Sequence, residues 1–285
     1  MISNGALTND QTKQFDEQGY LLLKNRVPRA ALNALQKVFE GVVDKEAEQW
    51  LAEGRITDKA EGLPFETRYA RLREQVPASF SNSWRRVLVS PAMYGMWRLP
   101  ELVEIARSLL GNELHAHGTW NGRPRPPRQT VATIGWHQDA AYYRRYQDGD
   151  GRIVSMWMPL VPVDARAGCL QVMPGSNHTG LLPTIKMGDA GLVGVTEEAL
   201  QPFTPVTCDM EPGDVLVFDQ YTTHRALDNE ADYVRWSIDI RFCQADNESI
   251  VSHDNGGYLC FSQSDPQRVQ SYDEWTAHYN YEGEF

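Results

Sequence analysis

The chain has 285 residues, 41% hydrophobic, 10% aromatic and 23% charged, with a formal net charge of −11. This is the composition of a globular protein, not of a disordered chain, and its acidity argues against polyanionic partners such as nucleic acid or an acidic membrane. The length suits one β-barrel or sandwich with helical decoration and a substantial core.

Thr8 or Asn9 caps a short helical pattern that Gly19 ends. The run YLLL then reads as a short buried strand. Between Arg29 and about Gly54, Leu32, Leu35, Val38, Phe39 and Val42 recur at helical spacing, predicting one long amphipathic helix. Residues 55–95 are mixed, with a helix around 65–75, and ELVEIARSLLG is a clear helix stopped by Gly111.

After Gly111 the texture changes. Short runs such as ELHAHGTW, IVSMWMPLVPV, CLQVMPGS and YVRWSIDIRF are separated by Gly, Pro and Asp clusters. This spacing predicts a mainly β core, a sandwich or barrel, and EPGD and DGDG mark turns. The tail SYDEWTAHYNYEGEF reads as a terminal helix. No internal repeat or low-complexity linker divides the chain. We therefore expect a single domain over 1–285: mostly helical cover over 1–110, the β core over 111–245 and a C-terminal extension over 246–285.

Cys169, Cys208, Cys243 and Cys260 stand far apart with no CxxC pair. They read as reduced thiols of an intracellular protein, not a disulfide frame or zinc site. The start, MISNGALTNDQTK, lacks a basic end followed by an apolar core. No run approaches the ~18 apolar residues of a membrane span. A cytoplasmic protein without membrane or nucleic-acid partners is expected. Arg123, Arg125 and Arg128, with Arg144 and Arg145 further on, form either an anion-friendly rim or ordinary exposed loops.

The stretch GWHQDAAYY places His137 and Asp139 two positions apart. On a strand, i and i+2 share a face, so Thr133, Gly135, His137 and Asp139 would point one way. Alone, the pair is a weak signal, since HxD arises often by chance and a polar strand is the plainer reading. His224, at the far end of a second strand, changes the balance. Two histidines and a carboxylate can take one face of a ferrous ion and leave positions open for other ligands, whereas a structural zinc site would close its tetrahedron, typically with cysteines. His115, His117, His178, His253 and His278 read as structural or surface residues, with His178 nearest the site.

In VRWSIDIRF the apolar Val234, Trp236, Ile238, Ile240 and Phe242 alternate with Arg235, Ser237, Asp239 and Arg241. An isolated strand with this pattern has a solvent face. In a barrel covered by helices the polar face turns inward, and Arg235 becomes an interior cation that needs an anion. A guanidinium fork suits a carboxylate, and a 2-oxo dicarboxylate could chelate iron with one end and satisfy Arg235 with the other.

At these residues the chain resembles the phytanoyl-CoA dioxygenase family of Fe(II)- and 2-oxoglutarate-dependent oxygenases, from LTNDQTKQFDEQGYLLLKN to VRWSIDIRF. The resemblance implies a double-stranded β-helix core, a jelly roll of cupin type, flanked by helices. It implies His137, Asp139 and His224 as iron ligands and Arg235, eleven residues after His224, as the 2-oxoglutarate anchor. Trp157 in VSMW is carried over as a contact to the co-substrate. Some relatives carry a hydroxyl residue two positions after the distal histidine. Here it is Ala226, so Thr119 or Thr133 is the expected replacement. The intact Asp139 implies hydroxylation or another oxidation, not halogenation, with dioxygen consumed and succinate and carbon dioxide released. Trp120, Asn121, Trp136, Tyr142, Tyr143, Tyr221 and Arg241 are the pocket candidates for a small organic substrate. Two rival readings use the same scaffold: a cupin-like ring-cleaving oxygenase or hydrolase without 2-oxoglutarate, and a catalytically silent binding protein.

Overall fold

A computed structural model describes residues 5–76, 84–128, 135–142, 151–187, 192–251, 254 and 256–279. The N-terminal region contributes α1 (Asn9–Gln18), β1 (Tyr20–Leu23), α2 (Arg29–Ala52), α3 (Phe65–Gln75), α4 (Pro91–Met96) and α5 (Pro100–Leu110). Then follow β2 (Glu113–Ala116), β3 (Asn121–Arg125), β4 (Ile153–Pro159), β5 (Leu170–Val172), β6 (Thr184–Met187), β7 (Leu192–Val195), α6 (Glu197–Leu200), β8 (Val206–Cys208), β9 (Val215–Asp219), β10 (His224–Ala226) and β11 (Arg235–Gln244). The chain closes with α7 (Glu248–Val251), β12 (Tyr258–Ser262) and α8 (Tyr272–Ala277).

Local chemistry sets the helix ends. The Thr8 hydroxyl accepts from the Gln11 amide, and the Gln11 side chain accepts from the Thr8 amide, a reciprocal cap on α1. Gly19, at φ 77°, closes that helix in the left-handed region, where a side chain would also strike Thr222 and Asn177. Gly111 ends α5, and Ser271 with Glu274 repeats the reciprocal cap on α8.

The larger sheet is antiparallel, in the order β1-β9-β4-β11-β2-β12, with β3 also paired to β11. A smaller antiparallel sheet runs β10-β5-β8, and β6 and β7 form a hairpin. Strand β11 is central, paired with β4 on one edge and with β3 and β2 on the other. Its outer residues Trp236, Ile238, Ile240 and Phe242 are all fully buried. Trp236 stacks on Phe65 at 4.8 Å and meets Phe39 and Tyr69 at 5.5 Å each, so α2 and α3 cover this face. Each such side chain contributes about 1.5–3 kcal/mol by leaving water. Gly122 lies opposite Ile238, and a side chain there would collide with Leu88 and Phe39, so only glycine lets β3 lie this close to the helical layer. One connected apolar core runs from Leu7 to Trp275. Among the described residues no helix is long and apolar enough to cross a membrane.

One expectation needs correction. His137 and Asp139 do not lie along a continuous strand. His137 makes an isolated antiparallel bridge to His224, and Asp139 opens a single 3-10 turn through Tyr142. The bridge consists of two backbone bonds, His137 N–H to the His224 carbonyl at 3.0 Å and the reverse at 2.9 Å. These bonds hold together two segments far apart in sequence. Thr133 and Tyr143 lie outside the described residues.

Candidate active site

The bridged histidines stand 4.2 Å apart by ring centroid. Asp139 Oδ1 lies 3.9 Å from each imidazole Nε2, and the three ligand atoms fall within 4.8 Å of one another. All three residues are buried. His137 Nδ1 lies 2.9 Å from the Gly135 carbonyl and His224 Nδ1 2.9 Å from the Thr222 carbonyl. A carbonyl oxygen only accepts, so each Nδ1 carries the proton and each Nε2 presents a lone pair inward. Burial, reinforced by His224, pulls His137 down to about 3, and burial likewise lowers His224. Both rings are therefore neutral, as metal ligands must be.

Asp139 is oriented from the opposite side. Its Oδ2 accepts from Ser155 Oγ at 2.9 Å and from Arg241 Nε and Nη2 at 3.1 and 2.9 Å, which leaves Oδ1 facing the histidines. Burial opposes its charge, but Arg241, the histidines and Ser155 outweigh it and hold the carboxyl well below its usual range. Arg241 also donates to Asp239 Oδ1 at 2.6 Å and to the Thr119 carbonyl at 3.0 Å. This donor set, two imidazoles and one carboxylate with no cysteine lining the cavity, fits an open iron site.

The triad forms one wall of a cavity lined among the described residues by Arg123, Pro124, Arg125, Trp157, Leu170, Phe218, Ala226, Arg235, Asp239 and Arg241 as well. The inner face of β11 thus borders the cavity, not solvent. Arg235 is 1% exposed. It donates to Ser237 Oγ at 3.3 Å and lies 5.5 Å from the Trp157 ring centre, and among the described residues its Nε has no partner. No carboxylate among the described residues comes within ion-pair distance of it. Burial, then repulsion from Arg125 and Arg123, lowers it to about 9, so it stays cationic at neutral pH. In the β11–β3 register Arg235 sits directly opposite Arg125. Facing like charges are unfavourable across a sheet; Arg125 is offset by Asp228 at 3.5 Å, whereas Arg235 has no carboxylate partner among the described residues. A dicarboxylate co-substrate fits.

Several candidate residues are placed differently from expectation. Among the described residues Thr119 bonds through its backbone, its amide to His117 Nδ1 and its carbonyl to Arg241, while Arg235 donates to Ser237. Trp120 is fully buried, bonded to Tyr279 Oη and packed against Trp97 and Trp275, away from the cavity. Asn121 supports the site from behind, donating to Asp239 and accepting from Arg85. Tyr221 and Trp136 do not line the cavity; the Arg225 guanidinium lies over the Trp136 ring at 4.5 Å. Tyr142 is 37% exposed and meets His137 edge-on at 6.1 Å, bonded to the backbone of Val193. His178 is exposed and bonded to the Glu17 carbonyl, and His115 and His117 flank Asp254. Ser155, Leu170 and Phe218 were not anticipated. Ser155 had a signal, standing two positions before Trp157 and so on the same face of β4.

Fold and donor set fit a non-haem iron oxygenase of the 2-oxoglutarate-using class. The sequence matches the phytanoyl-CoA dioxygenase (PhyH) family over residues 15–236, and the chain belongs to that family. It is 24% identical to the human peroxisomal phytanoyl-CoA dioxygenase over 86% of this chain and 71% of that one. A probable phytanoyl-CoA dioxygenase of Caenorhabditis elegans is 23% identical, over 84% and 76%. Its fold is similar to that of EvdO2 from Micromonospora carbonacea var. aurantiaca complexed with 2-oxoglutarate, with TM-score 0.57, 20% identity and 86% and 94% coverage. EctD from S. alaskensis with 2-oxoglutarate and 5-hydroxyectoine gives 0.58, 18%, and 95% and 89%. The protein is an Fe(II)- and 2-oxoglutarate-dependent dioxygenase that oxidises a small organic molecule.

Proposed function

We propose that the chain is a single oxygenase domain with a double-stranded β-helix core, in which His137, Asp139 and His224 hold iron and Arg235 anchors 2-oxoglutarate. Arg235 carries this reading: a guanidinium 1% exposed with an unpartnered Nε, in the same cavity as the three ligands. Its fork receives the distal carboxylate of 2-oxoglutarate, with Trp157 beneath it and Arg125 across from it. Iron, when bound, supplies dioxygen activation coupled to oxidative decarboxylation of 2-oxoglutarate to succinate and carbon dioxide.

The chain's own groups do the positioning. The carbonyls of Gly135 and Thr222 fix the imidazole tautomers. Arg241 ties Asp139 to Asp239 and keeps one carboxylate oxygen turned inward. Leu170, Phe218 and Trp157 exclude water from the cavity walls. Tyr142, half-exposed beside His137, marks the substrate side. Substrate oxidation is hydroxylation or another oxidation, not halogenation, since Asp139 occupies the carboxylate ligand position. The four buried free thiols fit a cytoplasmic location.

The test is oxygen uptake and succinate release with and without 2-oxoglutarate. The reading requires both to depend on it and Arg235→Ala to weaken its apparent affinity. Uptake that persists without 2-oxoglutarate would instead support the cupin-like oxygenase.

A further inference from the structure

Among the described residues the cavity holds more positive charge than iron and 2-oxoglutarate can account for. Arg123, Arg125, Arg235 and Arg241 line it with Asp139 and Asp239. Arg125 is matched by Asp228 at 3.5 Å, which leaves, among the described residues, three guanidiniums against two carboxylates. A divalent ion adds two charges and a 2-oxo dicarboxylate removes two, so one positive charge stays unmatched.

The geometry locates it. Arg123 faces inward from β3, opposite Ser237. Its Nε donates to Asp239 Oδ2 at 2.6 Å, and Asp239 is shared with Arg241. No other hydrogen bond of Arg123 is made among the described residues, and its side chain is 25% exposed. It lines the same cavity as His137, Asp139 and His224, so the guanidinium stands on a wall shared with the metal ligands. Arg235, by contrast, is sealed off.

Resting on the oxygenase reading above, we propose that Arg123 is the specificity residue for a substrate carboxylate, held by the outer edge of its guanidinium. The substrate is then a carboxylic acid with an apolar body that packs on Leu170, Phe218 and Pro124. A carboxylate brings one charge and matches the planar fork. A phosphate monoester brings about −1.5 to −2 and would overshoot the unmatched charge.

The experiment is calorimetric titration, without oxygen, of protein loaded with Fe(II) and 2-oxoglutarate. The probes are benzoate, 3-phenylpropanoate and cyclohexanecarboxylate, each beside its primary amide, plus phenyl phosphate. At least one acid should bind about tenfold or more tightly than its own amide and more tightly than phenyl phosphate. Arg123→Gln should erase that preference while the dissociation constant for 2-oxoglutarate changes less than about twofold, and Arg123→Lys should restore part of it. Equal binding of every acid and amide, a preference for phenyl phosphate, or a preference that survives Arg123→Gln overturns the proposal. So does a large loss of 2-oxoglutarate affinity in Arg123→Gln, which would move the residue to the co-substrate. Failure of the underlying reading looks different: the unaltered protein would not bind 2-oxoglutarate at all.

Discussion

Replacing Arg235 by methionine should make the ligand-free protein more stable while destroying its co-substrate site. Arg235 is 1% exposed, with an unpartnered Nε, and its ionisation is lowered from 12.5 to about 9 by burial and by Arg125 and Arg123. A depressed cation costs stability in full below its folded value, so the whole cost is present at pH 7. That fall converts to roughly 5 kcal/mol at ~1.4 kcal/mol per pH unit, a ceiling because methionine gives up the guanidinium's contacts with Ser237 and Trp157. Apolar replacement of buried charged groups gains about 1–4 kcal/mol, which at ~2–4 °C per kcal/mol should raise the melting temperature by several degrees. The assay is thermal unfolding of the metal-loaded protein with and without 2-oxoglutarate. The unaltered protein should gain about 2.7 kcal/mol at a hundredfold excess over the dissociation constant, and Arg235→Met should gain almost nothing. A variant that melts lower than the parent, or that is still stabilised by 2-oxoglutarate, would refute the reasoning.

His137→Ala and Asp139→Ala should each abolish iron retention and succinate release, read by metal analysis and product chromatography. Ser155→Ala removes one of the donors that orient Asp139 and should weaken metal affinity about 10–100-fold, the usual cost of losing such support. Ala226 lines the cavity where some relatives place a hydroxyl. Ala226→Ser should therefore tighten 2-oxoglutarate by about 1 kcal/mol, roughly fivefold, measured as a lower KM. In metal-free protein His137 falls from 6.5 to about 3. Its stabilising contribution is complete above 6.5 and is lost as pH falls, at up to ~1.4 kcal/mol per pH unit, until about 3. Urea unfolding between these limits should show that slope, reduced in His137→Gln.

The parts of this site that could be read from sequence are those set by short-range periodicity. Alternation in VRWSIDIRF identified the inward face of β11, and helical spacing identified the cover that packs on Trp236. His137 and Asp139 were recognisable as a pair although their convergence comes from a backbone bridge and a 3-10 turn, not from a strand. What escaped depends on distant partners. Nothing near Arg241 in sequence announces that Asp139 will claim its guanidinium, and the Arg125–Arg235 opposition exists only in the β3–β11 register. Thr119 and Trp120 were misjudged because β3 begins at Asn121, so strand alternation does not extend to them.

The most direct test is anomalous diffraction from crystals grown without oxygen in the presence of Fe(II) and 2-oxoglutarate. The account predicts one iron peak bound by His137 Nε2, His224 Nε2 and a single oxygen of Asp139, with the far carboxylate of 2-oxoglutarate on the Arg235 guanidinium. Iron held by any other set of residues, or 2-oxoglutarate bound with Arg235 still facing no anion, would contradict it.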